Sequence, residues 1–393
     1  MGRSPMNLAE VRLTHDPEAG EGGGPFPVPG ASTLWIGPGA LATAADRLAP
    51  WLAGRPVFVV AQPPVLELHG EALAALLAAA SRRVDLPIPD GEAAKTLEVA
   101  GDLWRRMLDS GGKRDSRLVT FGGGSAGDLG GFVAGAFLRG IEYVQVPTTL
   151  LAQVDAAIGG KTAVDLPAGK NTVGMFHHPV AVVSDTSVLA TLPVGELRSG
   201  LVESIKMAYL LDGDLFTRIE ENLDPLLAGD AVALAPVVTA SARAKVGVVE
   251  SDVREGGRRK LLNFGHTLGH AIESALGYSG LRHGECVAYG MLFALRLAEI
   301  RGLATADPEA FPRLRHLLAR LDLPALPPGL DPDDLVARLA KDKKARESGL
   351  VWVLPEVAPG EDHDAPAVGR FVSGIPRDEI LHLLPSFLAD PFT

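Results

Sequence analysis

The sequence predicts two regions of different texture, an α/β domain with a largely parallel sheet followed by an all-α domain. Three observations carry that prediction. The chain has 393 residues, more than the roughly 250 to 300 at which a single hydrophobic core stops growing. From residue 55 onward apolar strand-like runs alternate with helix-like ones, which is the pattern of an α/β layer. Around residue 195 that alternation ends, and apolar residues recur at helical period instead.

The elements follow in order. The stretch DPEAGEGGGPFPVPGAS, residues 16 to 32, is rich in Gly and Pro, so residues 1–32 are expected to form a flexible arm outside the core. Over 33–194, RPVFVVA, RLVTFGG and EYVQVP read as strands, while HGEALAALLAAASR, LEVAGDLWRRMLDSG and GDLGGFVAGAFLRG read as helices. Over 195–393, helices are expected at ELRSGLVESIKMAYLLD, AVALAPVVTASARAKVGVVES, TLGHAIESALG and ECVAYGMLFALRLAEIRG. The closing EILHLLPSFLADPFT reads as a last helix with a frayed tail.

Composition narrows the chemistry. With 48 acidic against 37 basic residues the net charge is -11, which argues against a protein held on nucleic acid or an anionic membrane by its overall field. An anionic ligand must then be met by locally gathered cations. Cys286 is the single cysteine, which excludes an internal disulfide and a thiolate metal cage and fits a reducing, cytoplasmic setting. The N-terminal stretch has no basic-then-apolar signal pattern, and no uninterrupted apolar run approaches the ~20 residues that cross a bilayer. Neither secretion nor membrane insertion is expected.

Three constellations stand out. In RLVTFGGGSAGDLGG, Gly122, Gly124 and Gly127 satisfy G-x-G-x-x-G after a strand, a turn that lets backbone approach a pyrophosphate at a helix N-terminus. The next strand, EYVQVPTT, does not end in the acidic residue of a standard Rossmann unit, so a tight turn without ligand is the competing reading. In LLNFGHTLGHAIE, His266 and His270 lie four apart on one helix face, and His283 follows nearby. These imidazoles could share a cation completed by a carboxylate, or simply satisfy neighbouring backbone. In GLVESIKMA, Glu203 and Lys206 lie one turn apart among Leu201, Val202, Ile205 and Met207, which favours a buried pair over a surface one.

Longer segments are more specific than any one motif. PDGEAAKT (89–96), GGGSAGDLGGFVAGAFLRG (122–140), VQVPTTLLAQVDAAIGGKTAVDLPAGKN (144–171), TLPVGELRSGLVESIK (191–206), REGGRRKLLNFGHTLGHAIE (254–273), RHGECVA (282–288) and KDKK (341–344) resemble, in order, 3-dehydroquinate synthase of the shikimate pathway and, more broadly, the sugar phosphate cyclases. The resemblance implies a dehydroquinate synthase-like fold, with an α/β NAD-binding domain, an α-helical metal-binding domain and an active site between them. It implies a divalent cation, zinc or cobalt, on Glu203, His266 and His283, which removes His270 from the ligand set and turns it toward phosphate or proton relay. For NAD it implies Glu92, Lys95, the turn Gly122, Gly123 and Gly124, Asp128, Thr148 and Thr149, with Asp155, Lys161, Lys170, Asn171 and Lys206 near nicotinamide and substrate.

The implied substrate is 3-deoxy-D-arabino-heptulosonate 7-phosphate. Lys245 and Arg259 would take its carboxylate; Asn171, Asn263, His270 and Lys343, or the adjacent Lys344, would take its phosphate. Arg139 would reach in from the second subunit of a homodimer. The implied chemistry is oxidation of a ring alcohol by NAD, loss of phosphate, reduction of the ketone, ring opening and aldol closure, with Lys206, Asp155, His270, Lys161 and Asn263 as the catalytic group. The chain departs from the family pattern at Gln62, where a polar Asp, Thr or Asn is common after the strand that meets adenosine ribose, at Val253, and at His178; His177 and His178 read as solvent-facing, peripheral histidines. Rival readings are a cyclase acting on sedoheptulose 7-phosphate, which has no carboxylate for Lys245 and Arg259, and a metal-dependent alcohol dehydrogenase of the same architecture.

Overall fold

A computed structural model of the chain describes residues 8–14, 32–167, 169–253, 255–303, 309–344, 350–356 and 368–393. Most of the expected arm, 1–32, lies outside these residues. The chain divides into two compact units, one comprising the residues through Leu197 together with Asp224–Glu250, the other Arg198–Leu223 with the residues from Ser251 onward.

The first unit is built on a seven-stranded sheet. Its strands are β1 (Ala9–Leu13), β2 (Ser32–Gly37), β3 (Pro56–Ala61), β4 (Arg82–Pro87), β5 (Arg117–Gly122), β6 (Tyr143–Pro147) and β9 (Ala181–Asp185), ordered β1-β2-β9-β6-β5-β3-β4. Only β1 runs antiparallel to its neighbour. A parallel sheet needs crossover helices, and α1 (Ala40–Leu52), α2 (Pro63–Leu76), α3 (Leu97–Asp109) and α4 (Gly124–Ala136) supply them. Strands β3, β5 and β6 are buried on both faces and read as continuous apolar runs, so they were visible in the sequence. Edge strand β4, RRVDLP, is mostly exposed or half-buried and was not. The order reverses between β3 and β5, so their carboxyl ends, Ala61 and Gly122, flank the switch point where open α/β sheets leave a ligand crevice.

An antiparallel hairpin, β7 (Lys161–Leu166) with β8 (Gly169–Phe176), belongs to the same unit. So do α7 (Leu223–Leu227), apart from its first residue, and nearly all of α8 (Ala231–Ser251). The division therefore differs from a single boundary at 194/195, because Leu234, Val237, Val238 and Val249 of α8 are buried and Ala231 accepts a hydrogen bond from the Thr186 hydroxyl at 2.8 Å. By length and composition α8 could cross a bilayer, but nine of its side chains are buried within the protein.

The second unit is helical: most of α5 (Val194–Leu211), then α6 (Gly213–Glu221), α9 (His266–Ala275), α10 (His283–Ile300), α11 (Ala310–Arg320), α12 (Pro332–Lys344) and α13 (Arg377–Ala389). It also carries one two-stranded antiparallel hairpin, β10 (Val351–Glu356) with β11 (Val368–Ser373), an addition to the expected all-α region. Trp352 on β10 is buried against Phe293 of α10, which is how a short β pair earns its place in a helical core.

Candidate functional site

In the second unit, glycines decide how near the helices come. A Cβ at Gly290 of α10 would collide with the Gly265 carbonyl, and one at Gly269 of α9 would stand 3.0 Å from the Cys286 carbonyl. At Gly284 a side chain would strike the Ser199 backbone of α5. Bare backbone at these contacts brings three helices together at their polar residues.

There α5 contributes Glu203 and Lys206, 1% and 2% exposed, joined by an ion pair. This is the buried pair that the apolar flanks imply. Helix α9 contributes His266 and His270, and α10 contributes His283 at its first residue. Ligand nitrogens of the three histidines lie within 4.8 Å of one another. Glu203 Oε1 is 3.8 Å from His266 Nε2 and 3.7 Å from His283 Nε2. The far ring nitrogens are turned outward: His266 Nδ1 is 3.3 Å from the Phe264 carbonyl, and His283 Nδ1 is 3.3 Å from Glu273 Oε2. Such outer partners fix the tautomer that leaves Nε2 lone pairs facing inward.

Electrostatics act on the two rings in opposite directions. Burial, then the Lys206 ammonium and the neighbouring imidazoles, hold His266 well below its ordinary value, so it is neutral. Burial also works to lower His283, but the hydrogen bond to Glu273 and the charge of Glu203 outweigh it and the net shift is upward. Glu203 Oε1 is buried without a hydrogen-bond partner, which costs about 1 to 3 kcal/mol for a polar atom and more for a charged one. An orphaned carboxylate oxygen facing imidazole nitrogens fits a borderline divalent cation held by N and O donors. His270 stands in the same cluster, its ring 5.1 Å from that of His266 and 5.8 Å from that of His283.

Elsewhere in the second unit, Asp252 organises the segment that carries Arg259. Its carboxylate accepts from the backbone N–H of Gly256, Gly257 and Arg259 at 2.7 to 2.9 Å. Arg259 is buried, with its guanidinium donating to the Val253 carbonyl at 2.8 Å. Asn263 donates to Glu255 at 3.0 Å. Lys343 and Lys344 close α12, and their side chains lie outside the described residues.

In the first unit, the glycine turn joins β5 to α4. Close packing explains its composition: a Cβ at Gly122 would collide with Gln62 Oε1, one at Gly123 would press on Thr149, and one at Gly124 would meet Ala156 at 3.3 Å. Thr148 donates its backbone N–H to Gly122 at 2.9 Å, and Thr149 Oγ1 caps the following turn by accepting from Ala152 N at 3.2 Å. Gln62 follows β3 and is buried with its Oε1 unpartnered, directly over the turn.

Two lysines anchor the rest. Lys95 is buried, with Nζ 2.9 Å from Asp128, 2.5 Å from Asn171 Oδ1, 3.7 Å from Glu92 and 3.9 Å from Asp165. Burial would lower Lys95, but Asp128 and Glu92 outweigh it and hold the ammonium protonated. Burial raises Asp128, which shares this one cation with other acids. Lys170 stands 3.6 Å from Glu92. Lys245 of α8 donates to Asp155 Oδ1 and to its carbonyl, both at 2.6 Å. Asp155 lies in a π-type turn, Ala152–Ala156, closed by Ala157 N to Ala152 O at 3.0 Å, a distortion frequent at functional sites. Lys161, at the start of β7, and Arg139 are exposed. Arg139 and Leu138 have φ of 72° and 50°, strained for side-chain-bearing residues. His177 is structural, stacked on Tyr143 with rings 5.1 Å apart.

Two polar contacts had no reading from sequence. Glu273, three residues after His270 in GHAIE, meets His283; an acid inside an apolar helix was the available signal. Asp165 meets Asn171 through a strand irregularity that no pattern encodes.

Residues 85–199 match the family model described as 3-dehydroquinate synthase N-terminal, and residues 200–345 the one described as 3-dehydroquinate synthase C-terminal. The chain belongs to the 3-dehydroquinate synthase family. It is 48% identical over 309 residues to the 3-dehydroquinate synthase of Symbiobacterium thermophilum, covering 78% of this chain and 86% of that one. Among solved structures of related proteins, ValA (2-epi-5-epi-valiolone synthase) from Streptomyces hygroscopicus subsp. jinggangensis, with NAD+ and Zn2+ bound, superposes with a TM-score of 0.80 at 30% identity, over 91% of this chain and 97% of that one. A 2-deoxy-scyllo-inosose synthase complexed with carbaglucose-6-phosphate, NAD+ and Co2+ also gives 0.80, at 25% identity, over 97% of this chain and 100% of that one.

Proposed function

We propose that the protein converts 3-deoxy-D-arabino-heptulosonate 7-phosphate to 3-dehydroquinate and phosphate, using NAD and one zinc or cobalt ion held by Glu203, His266 and His283. The observation that carries this reading is the orphaned Glu203 oxygen facing two inward imidazole nitrogens, in a chain of this family. Relatives bound to NAD+ with Zn2+ or Co2+ support the cofactor pair. When bound, NAD accepts and returns a hydride while the cation polarises the alcohol that yields it.

The chain's own residues do the rest. Lys206 fixes the Glu203 carboxylate by its ion pair, and Glu273 orients His283. Glu92, Lys95, Asp128, Thr148, Thr149 and Gly122 to Gly124 hold the nucleotide, with Gln62 the departing residue beneath it. Lys161 and Lys170 serve the nicotinamide end. Lys245 and Arg259 pair with the substrate carboxylate; Asn171, Asn263, His270 and Lys343 take its phosphate, with Asp155 beside Lys245. Oxidation acidifies the neighbouring C–H, so phosphate can leave without a strong protein base, and His270 suits the relay of that proton.

The test is to incubate the protein with NAD, a divalent cation and either heptulosonate 7-phosphate or sedoheptulose 7-phosphate, following phosphate release. Release from the acid sugar without net NADH is expected; release from sedoheptulose phosphate alone, or accumulating NADH, would select one of the rival readings. Arg259→Leu should abolish most turnover of the acid sugar, and unchanged kinetics would remove the carboxylate assignment. The reading extends to a cytoplasmic homodimer in which Arg139 serves the partner's site. Mixing inactive Arg139→Ala and Lys206→Met proteins should restore turnover in hybrid dimers if that is so.

A further inference from the structure

We propose that Asp165, to which no role attaches in the reading above, is a positioning residue that fixes the tip of the β7/β8 hairpin, and with it Lys170 and Asn171, against Lys95. The ladder of this hairpin pairs Val164 with Val173 and then Leu166 with Gly169, so its register shifts at Asp165. The surplus residues lie in β8, where Lys170, Asn171 and Thr172 stand opposite the single residue Asp165, so that strand bends and leaves the ladder there. Asp165 ties down both sides of the irregularity. The Asp165 N–H donates to the Lys95 carbonyl at 2.7 Å, and Asp165 bridges to Thr96 in parallel sense, tying the hairpin to the segment that carries Glu92 and Lys95. The Asp165 carboxylate turns toward the hairpin tip, where Oδ1 accepts the backbone N–H of Asn171 at 2.6 Å.

Asn171 has φ 53°, a left-handed conformation that asparagine tolerates better than other side-chain-bearing residues and that its contacts fix here. Two contacts hold it. Asp165 holds its amide, and Lys95 Nζ donates to its side-chain Oδ1 at 2.5 Å. Lys95 is in turn 3.9 Å from Asp165 and 2.9 Å from Asp128. One carboxylate thus sets the backbone of Asn171, the neighbouring Lys170, and the field around Lys95. Asp165 has no direct part in the proposed chemistry; it acts through these three residues, and the kinetic consequence rests on the proposed function.

The experiment uses the full chain as wild type, Asp165→Ala and Asp165→Asn, and has two readouts. Hydrogen exchange at the Asn171 amide, without ligands, needs no turnover. Kinetics with heptulosonate 7-phosphate and NAD give the split between KM and kcat. In Asp165→Ala the Asn171 amide should exchange about tenfold faster or more, and KM for the sugar phosphate should rise about tenfold with a smaller change in kcat. Asp165→Asn keeps an oxygen acceptor, so exchange and KM should stay within about threefold of wild type.

Unchanged Asn171 protection in Asp165→Ala overturns the proposal, as does equal loss in both variants. If Asp165→Ala does not fold, Asp165→Asn decides: protection within the stated range supports the proposal and faster exchange overturns it. A wild type that leaves the sugar phosphate untouched refutes the proposed function, while the exchange result still decides the role of Asp165.

Discussion

The buried lysines that line the candidate site of the first unit are paired with carboxylates, whereas in the histidine cluster of the second a buried carboxylate oxygen is held short of satisfaction. Lys95 and Lys245, both buried, each have a carboxylate within 3 Å. In the histidine cluster Lys206 satisfies one oxygen of Glu203 and leaves the other, buried, to face imidazole nitrogens at 3.7 and 3.8 Å. On the proposed reading Lys95 and Lys245 serve a nucleotide and a substrate that come and go, so they can pair with carboxylates in their absence. The cation proposed for the histidine cluster would be part of the fold, so its ligands would be poised and stay costly until it binds.

The strongest way to break that contrast is Glu203→Ala. It removes the orphaned oxygen and also strands Lys206 in the core, and an uncompensated buried charge costs about 3 to 5 kcal/mol. We expect loss of the bound cation, turnover reduced by about three orders of magnitude, consistent with removing about 4 kcal/mol of transition-state stabilisation, and a lowered denaturation midpoint of the metal-free protein. Retained metal stoichiometry on elemental analysis would contradict the ligand assignment.

Next in size is Glu273→Gln. The amide cannot hold His283 in the same tautomer with the same strength, and the loss of such an outer partner weakens metal binding about 10- to 100-fold. Competition against a chromophoric chelator measures it. An unchanged affinity would mean that the close approach of α9 and α10, rather than Glu273, orients the ring.

The same contrast explains what could be read before the fold was known. Buried strands β3, β5 and β6 and helix α8 carry their burial as apolar runs, so they were legible. The pair Glu203 and Lys206 was legible because both interrupt such a run. Spacing alone suggested His266 and His270 as a chelating pair; the structure brings all three histidines together, and only the family resemblance sets His270 apart from the other two. Strand β4 hid because its exposed residues break the pattern, and hairpin β7/β8 because its register shifts at Asp165. The segment 224–250 read as part of the helical region by its period, which says nothing about the core a helix joins.

A smaller effect sharpens the first unit's side of the comparison. In Lys245→Met the Asp155 carboxylate loses the Lys245 ammonium, but it is about a quarter exposed, so water screens much of the cost. We expect about 1 kcal/mol of destabilisation and a larger rise in KM for the acid sugar than for a substrate lacking the carboxylate. Equal KM changes for both would detach Lys245 from carboxylate recognition.

The smallest effect concerns Asp252, whose three backbone hydrogen bonds belong to the second unit yet are complete without any ligand. Burial works to raise its carboxyl, but the N–H groups of Arg259, Gly257 and Gly256 outweigh it and leave it below its ordinary value of 3.8. A depressed folded value means the unfolded chain binds the proton more readily, so this stability is present above 3.8 and is lost as pH falls from there through the folded value. Asp252→Asn turns an amide N–H toward one of those donors, and because the group is largely solvated the cost should not exceed about 1 kcal/mol. Urea midpoints of wild type and variant should differ most near neutrality and converge below the ordinary carboxylate range. A difference that stays constant down to strongly acid conditions would show that the charge of Asp252 does not hold the segment carrying Arg259.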